Sequence, residues 1–324
     1  MNTERVELLA QVAGMYYVEN LTQDQVSKKL GYSRSMISRL LTEARETGVV
    51  EIRINHKVMR NYKLEQQLIR TFSLNDARIL SRGTMDEATM LRYLGSVAAS
   101  YLQTIIHSDM RIGVGWGSAL WETISALRSM DHTSIEVVGL IGALGTMNGE
   151  MDGPEIARRL ARLFGGSYSI LPAPLIVENE VTRQALMNDQ RIISVLETAG
   201  KADMALVGIG STELGHSSLV RAGYMRMEEI QELSDQGIAG DVCAIHFDMD
   251  GNIADIPLNR RVVGIRHEEL KKIPLRVAIA GGAAKIKAIQ AACLSGLINV
   301  LITDEIAAQG ILHMMQGFFL VCAL

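Results

Sequence analysis

From Leu21 onward the chain sets apolar residues at helical spacing. Val26 and Leu30 lie four apart, and Met36, Ile37, Leu40 and Leu41 then share a face. Thr22 followed three residues later by Gln25 is a capping-box pattern, which predicts a helix beginning at about Gln23. Gly31 ends that helix, because glycine enters a left-handed turn without strain. Ser33 can cap a second helix whose outward side carries Arg34, Ser35, Ser38 and Arg39. Two short helices joined by a glycine-containing turn predict a helix-turn-helix, with small Ser27 where the helices cross. The run Val49–Ile54 alternates like a short strand and predicts a wing beside them.

Residues 55–76 are polar, with Leu64, Leu68 and Ile69 at helical spacing. They predict a linking helix, and a boundary at about residue 56 that separates domains 1–56 and 57–324. Beyond it, short apolar runs alternate with helical stretches. Strands are expected at Ala77–Leu80, Met110–Val114, Ile135–Ile141, Ser167–Leu171, Met204–Ile209, Val242–Phe247, Val277–Ala280 and Asn299–Ile302. Helices are expected over 87–106, 118–129, 154–164, 180–198, 226–236, 283–294 and 304–315. This order predicts an α/β fold, a Rossmann-like doubly wound and mostly parallel sheet covered on both faces.

Composition narrows the functional classes. The 324 residues are 48% apolar and 21% charged, the profile of a globular chain with ample core. A net charge of −4 conceals an asymmetry: residues 1–60 hold nine Lys/Arg against seven Asp/Glu, the remainder 23 against 29. The surplus at the N-terminal end has the sign that meets phosphate. Cys243, Cys293 and Cys322 are far apart and odd in number, which suits reduced thiols and a cytoplasmic location. The late apolar run Gly317–Leu324 falls far short of the ~20 residues a membrane span requires, so no membrane partner is expected.

Catalytic signatures are missing. The histidines are scattered, with no metal-ligand spacing, and no G-x-S-x-G occurs. No lysine lies between Lys63 and Lys201, which excludes a Schiff-base lysine from the first half of the large domain. In Gly113-Val114-Gly115-Trp116-Gly117-Ser118 the glycines fall at every second residue, not as G-x-G-x-x-G, and Trp116 sits inside the turn. No dinucleotide or other cofactor is expected.

What remains is the set of glycine-rich strand exits: Gly113–Ser118, Gly139–Gly145, Gly208–Ser211 and Gly281–Lys285. In doubly wound sheets ligands bind outside the carboxyl ends of the strands, and a helix start there presents free N–H groups to an anion. Any one such turn is most often only a tight turn, and Lys285 alone would read as a solvated helix lysine. Together they point to a sugar or sugar phosphate. At the other end of the chain, Arg34 and Arg39 are suited to guanine or phosphate, and Ser33, Ser35 and Ser38 are shorter donors for double-stranded DNA.

The segment YYVENLTQDQVSKKLGYSRSMISRLLTEARETGVVEIRI resembles the N-terminal domain of the SorC/DeoR-type sugar-binding transcriptional regulators. GVGWGSAL, LPAP, KADMALVGIGS, GDVCAIHFDMDGN, AIAGGAAKIKAIQAAC and NVLITDEIAAQGIL resemble their effector domain, itself similar in fold to phosphosugar isomerases and deaminases. The resemblance implies a DNA-binding regulator of a carbohydrate operon, working as a homodimer or homotetramer. It implies effector contacts from Gly115, Trp116, Gly117 and Ser118, from Asp241, and from Lys285 of the Gly281-Gly282 turn, with Asp152 and Arg221 added from flanking loops. Asp248 and Asp250 read as turn carboxylates. The alternative is a phosphosugar isomerase or deaminase with an appended DNA-binding domain, for which Asp241 and His246 could act as acid and base.

Overall fold

In the computed structural model, residues 3–19, 21–50, 59–130, 134–145 and 151–322 are described. The chain divides into two compact units, Met1–Lys57 and Val58–Leu324.

The small unit consists of α1 (Thr3–Ala13), a π-helical stretch at Gly14–Val18, α2 (Gln23–Leu30) and α3 (Arg34–Glu46). Thr22 caps α2 through the full capping box: its hydroxyl accepts from Gln25 N at 3.3 Å, and its own N–H donates to Gln25 Oε1 at 2.8 Å. Gly31 turns the chain at φ 72°, and Ser33 caps α3 by accepting from Met36 N. Ser27 ties the turn together, its Oγ donating to the Tyr32 carbonyl. The core is Leu9, Val12, Val26, Ile37, Leu40, Leu41 and Ala44. The pattern from Leu21 onward did not anticipate α1. It contributes Leu9 and Val12 to that core and fastens to α3 through the paired Arg5 and Glu43 side chains. The expected wing lies mostly outside the described residues: Val49 and Val50 are bends, and 51–54 are not described.

The large unit begins with α4 (Tyr62–Phe72), β1 (Asp76–Leu80), α5 (Glu87–Ile105), β2 (Arg111–Val114), α6 (Ser118–Ala126), β3 (Glu136–Ala143) and α7 (Gly153–Leu163). There follow β4 (Ser167–Pro174), α8 (Glu180–Met187), α9 (Gln190–Ala199), β5 (Met204–Gly208), β6 (Gly210–Ser211), α10 (Ser218–Arg221) and α11 (Met227–Asp235). The rest is β7 (Ile238–Val242), β8 (Ile245–Asp248), α12 (His267–Leu270), β9 (Leu275–Ile279), α13 (Ile286–Ser295), β10 (Val300–Asp304) and α14 (Glu305–Cys322).

Seven strands form one parallel sheet in the order β1-β10-β9-β5-β2-β3-β4. Both faces are buried apart from the edge strand β4, where only Leu171 is buried, and this is why the inner strands read as nearly unbroken apolar runs. Met204, Leu206, Val277 and Ile279 pack under α5, α6 and α7, against Leu94, Leu102, Leu120 and Leu160. Their neighbours Ala205, Val207, Ala278 and Ala280 face the opposite layer, where α4, α9, α13 and α14 supply Leu68, Leu196, Ile289 and Ile311. Period-two alternation thus divides each strand between two cores.

Three expectations need correction. The run Val242–Phe247 is not one strand of the main sheet. It spans a hairpin between β7 and β8, which with β6 make a separate three-stranded antiparallel sheet. Its turn is Cys243-Ala244, both at positive φ (53° and 57°), a shape usually signalled by Asn-Gly or Asp-Gly. The helix expected over 180–198 is broken at Asn188 and Asp189, the latter capping α9. The linking helix is α4, but it is no free spacer: it packs on β1 and α14, with Leu68 fully buried.

Gly31 lies at φ 72° with no heavy atom within 4 Å of where a Cβ would sit, so a side chain there meets only conformational cost. Gly31→Ala should lower the stability of the small unit by about 1–2 kcal/mol and leave the large unit's unfolding transition unchanged, as followed by proteolysis of each unit against denaturant.

Candidate functional site

β2 and β5 lie side by side, yet from β2 the chain proceeds to β3 on one side and from β5, by way of the small β6–β8 sheet, to β9 on the other. Diverging connections leave a crevice at the carboxyl ends of such a pair. A cavity of about 830 Å³ opens there, within the ~300–1,000 Å³ usual for small-molecule sites. Its floor is the β2 exit, Gly115 to Ala119, and the β5 exit, Gly208 to Gly210; Ile141, Leu144, Met151 and Ile279 give apolar walls. Ser218 and Arg221 of α10, Asp241 of β7 and Lys285 add polar and charged side chains to the lining.

Each polar group has an identifiable anchor. The first N–H groups of α6 have no partner within the helix, so its start at Ser118 offers donors beside the cavity. Lys285 ends a short 3₁₀ turn (Ala283–Lys285) ahead of α13, and its Nζ donates to the Ile209 carbonyl at 2.6 Å. Burial pulls its pKa down to about 8. Asp241 opposes that fall, Arg221 adds to it, and Glu87 opposes it. Asp241 is buried, with Oδ2 accepting from Ala244 N at 3.0 Å, so the carboxylate also braces the Cys243-Ala244 turn. A Cβ on Gly210 would fall 1.9 Å from Asp241 Oδ1; only glycine lets this carboxylate stand beside the β5 exit. Arg221 Nη1 donates to the His216 carbonyl at 3.2 Å. Cys243 also lines the cavity, and burial pushes its thiol far up, away from any nucleophilic thiolate.

Of the residues singled out in the sequence, Gly115, Trp116, Gly117, Ser118, Arg221, Asp241 and Lys285 come together on this one cavity. Asp152, Gly281 and Gly282 lie elsewhere in the local architecture. Asp152 caps α7 and directs its carboxylate to the N–H groups of Leu144, Gly145 and Gly153 at 2.9, 3.2 and 2.7 Å. Gly282 N donates to Asp304 Oδ1 at 2.7 Å. Asp248 accepts from the N–H groups of Asp250 and Asn252, a turn role, and His246 is buried against Asn259. Sequence reasoning passed over Ser218, Met151 and Ala222. Ser218 and Ala222 reach the cavity on and just after α10, between β6 and β7, and Met151 from the connection between β3 and α7, where its carbonyl accepts from Gly117 N; no local signal marks them. Among the described residues no cluster of His, Cys, Asp or Glu could hold a metal ion, and no helix is long and apolar enough to cross a membrane.

In the small unit, Ser33, Arg34, Ser35, Ser38 and Arg39 are all exposed on α3 or at its start. Arg34 pairs loosely with Asp24 at 3.5 Å, both side chains largely in solvent, and Ser33 Oγ lies 3.0 Å from Ser35 Oγ.

Residues 56–313 match the family model described as "Putative sugar-binding domain". Over 312 residues the chain is 31% identical to the transcriptional regulator LsrR of Klebsiella pneumoniae subsp. pneumoniae, covering 94% of this chain and 93% of that one. It is 28% identical to the deoxyribonucleoside regulator of Bacillus subtilis, covering 97% and 99%. The full-length sorbitol operon regulator SorC from Klebsiella pneumoniae superposes with a TM-score of 0.71 at 27% identity, over 95% and 99% of the two chains. The chain belongs to the SorC/DeoR-type sugar-binding transcriptional regulators. This regulator therefore carries its sugar-binding domain on the doubly wound sheet. Its relatives are named as regulators and not as enzymes, which disfavours the isomerase or deaminase alternative.

The depressed Lys285 pKa carries a stability consequence. Between about 8 and the ordinary 10.5 the unfolded chain holds a proton that the folded chain has released, so this residue makes stability rise with pH in that window. Below it, the buried ammonium is a cost. Lys285→Met should raise the melting temperature of the ligand-free regulator at pH 7, with the advantage shrinking from pH 8 to 10.5; an advantage independent of pH would contradict this.

Proposed function

We propose that the cavity binds a phosphorylated sugar and that its occupancy controls DNA binding by the small unit. The observation that carries this is the gathering, at the switch point of the sheet, of an α6 start with free N–H groups, Lys285 and Arg221 around one buried carboxylate, Asp241. The helix start and the cations suit a phosphate, since donors and positive charge converge there without needing a metal. Asp241, an acceptor in a largely apolar enclosure, suits sugar hydroxyls, and Trp116 offers an aromatic wall to a sugar's C–H face.

Residues 1–56 form the DNA-binding part. α2, the turn at Gly31–Ser33 and α3 make a helix-turn-helix, and α3 enters the major groove with Arg34, Ser35, Ser38 and Arg39 toward bases or phosphates. Ser33 is already engaged as a cap and serves mainly to hold that end of α3. Residues 57–324 bind effector and assemble the dimer or tetramer that paired half-sites demand. Coupling then follows from unequal effector affinity for two arrangements of the assembly.

A thermal-shift panel of sugars and their phosphates tests the cavity. Phosphates should raise the melting temperature more than the parent sugars, and a panel with no shift for any phosphate would dismiss the reading. Affinity for the active phosphate should fall above pH 8, as Lys285 loses its proton. Lys285→Ala should remove the shift while operator binding persists; loss of both would indicate misfolding. Arg39→Ala should weaken operator binding by about 1–3 kcal/mol if the guanidinium reads a base, measured by fluorescence anisotropy, and unchanged affinity would take Arg39 out of the interface.

A further inference from the structure

The carboxyl end of β10 brings two adjacent carboxylates, Asp304 and Glu305, to one corner of the large unit. Asp304 is fully buried. Its Oδ1 accepts from Gly282 N at 2.7 Å, in the turn that leads to Lys285, and Lys285 N in turn donates to the Gly282 carbonyl at 3.1 Å. Its Oδ2 takes Arg82 Nη1 at 3.3 Å. Glu305 faces the other way. Its Oε1 accepts from Asn61 Nδ2 at 2.7 Å and its Oε2 from Ser81 Oγ at 3.3 Å. Met59 and Asn61 run antiparallel to the end of β1, with Ser81 N donating to the Met59 carbonyl at 2.7 Å and Asn61 N to the Ile79 carbonyl at 3.0 Å. Arg60 between them is held by Glu65, which is itself buried and also accepts from Ile79 N.

Two sets of hydrogen bonds, joined through the adjacent pairs Asp304–Glu305 and Ser81–Arg82, therefore link the Gly282–Lys285 turn at the cavity to the segment where the chain enters the large unit. A fully buried carboxylate is a costly way to hold a sheet edge together, since a packed apolar side chain generally does so as well or better. Its use here is explained by what it connects. One oxygen reads the position of the Gly282 amide and the other fixes Arg82, next in sequence to the Ser81 that Glu305 grips. A shift of the Gly282 turn on effector binding must be met at Arg82, Ser81 and Met59–Asn61, because the bonds along this path are directional and end on carboxylates that are themselves fixed at both oxygens.

We propose that Asp304 and Glu305 are positioning residues that couple the Gly281–Lys285 turn to the Met59–Asn61 segment. The direction of the signal, from effector to headpiece, rests on the sugar-phosphate reading; the coupling itself does not.

Hydrogen–deuterium exchange on the full-length, ligand-free regulator tests it. In Arg82→Gln, the peptides carrying Met59–Asn61 and Gly281–Lys285 should both exchange roughly tenfold faster, the ratio expected when a hydrogen bond to a charged group is lost. Peptides from β3 and α7, at the far side of the sheet, should keep wild-type rates. In Glu305→Gln, at a half-buried position, the faster exchange should start at Met59–Asn61 and carry through to Gly281–Lys285 in the same pattern. Faster exchange confined to residues flanking the substituted side chain would overturn the coupling, as would a uniform rise across the sheet, which marks general destabilisation. No ligand enters this experiment, so failure of the coupling and failure of the sugar-phosphate reading are distinguishable.

Discussion

A parallel sheet buried on both faces leaves its backbone only one place to be polar: the ends of its strands. Within β5 and β9 the side chains divide between two apolar layers, and the internal N–H and carbonyl groups are taken up by the ladder. At the carboxyl edge the ladder stops. There the chain must turn, and unpaired donors accumulate at the helix starts that follow. Because β2 and β5 send their connections in opposite directions, two of these exits open onto the same space, and the cavity is the outcome. The candidate site of this regulator occupies a region that the demands of the core leave free.

The same region is where the fold tolerates electrostatic cost. Lys285 is held with its ammonium against a backbone carbonyl, in surroundings poor enough in water to lower its pKa, and Asp241 is buried on a neighbouring strand. Neither charge is justified by stability, since apolar groups would fill the space at lower cost. Both are pre-positioned, however, so a ligand that supplies an anion and hydroxyls meets groups that have already lost their hydration. Asp152 shows the contrasting arrangement: a carboxylate near the cavity whose oxygens are occupied by three N–H groups and which shapes the wall without facing it.

Beyond the cavity, charge recurs at the carboxyl end of β10, where Asp304 and Glu305 sit between the glycine turn and the entry of the chain from the small unit. A domain built only of apolar contacts would adjust to a local displacement by many small movements. Directional bonds to buried charges have fewer alternatives, and so carry a displacement between fixed points. The cavity charges and this corner are thus joined through a single turn.

Much of this was legible in the residues themselves. Thr22, Gln25, Gly31 and Ser33 announce their caps and turn, because those motifs are local and close within a few residues. Most parallel strands declare themselves by apolar runs, and six candidate residues named from motifs, with Arg221 from a flanking loop, meet on one cavity. The family, too, was visible in motifs spread along the chain. What tertiary structure alone decided was pairing at a distance. The Cys243-Ala244 turn carries no glycine or asparagine, so the β7–β8 hairpin reads as one strand until β6 is found beside it. α4 looks like a spacer until β1 and α14 cover it, and Asp304 looks like a strand-end carboxylate until Gly282 and Arg82 close on it. Periodicity and capping depend on neighbours within a turn or two. Which glycine faces a ligand and which carboxylate faces another strand depend on residues far away in sequence, and only the folded chain brings them together.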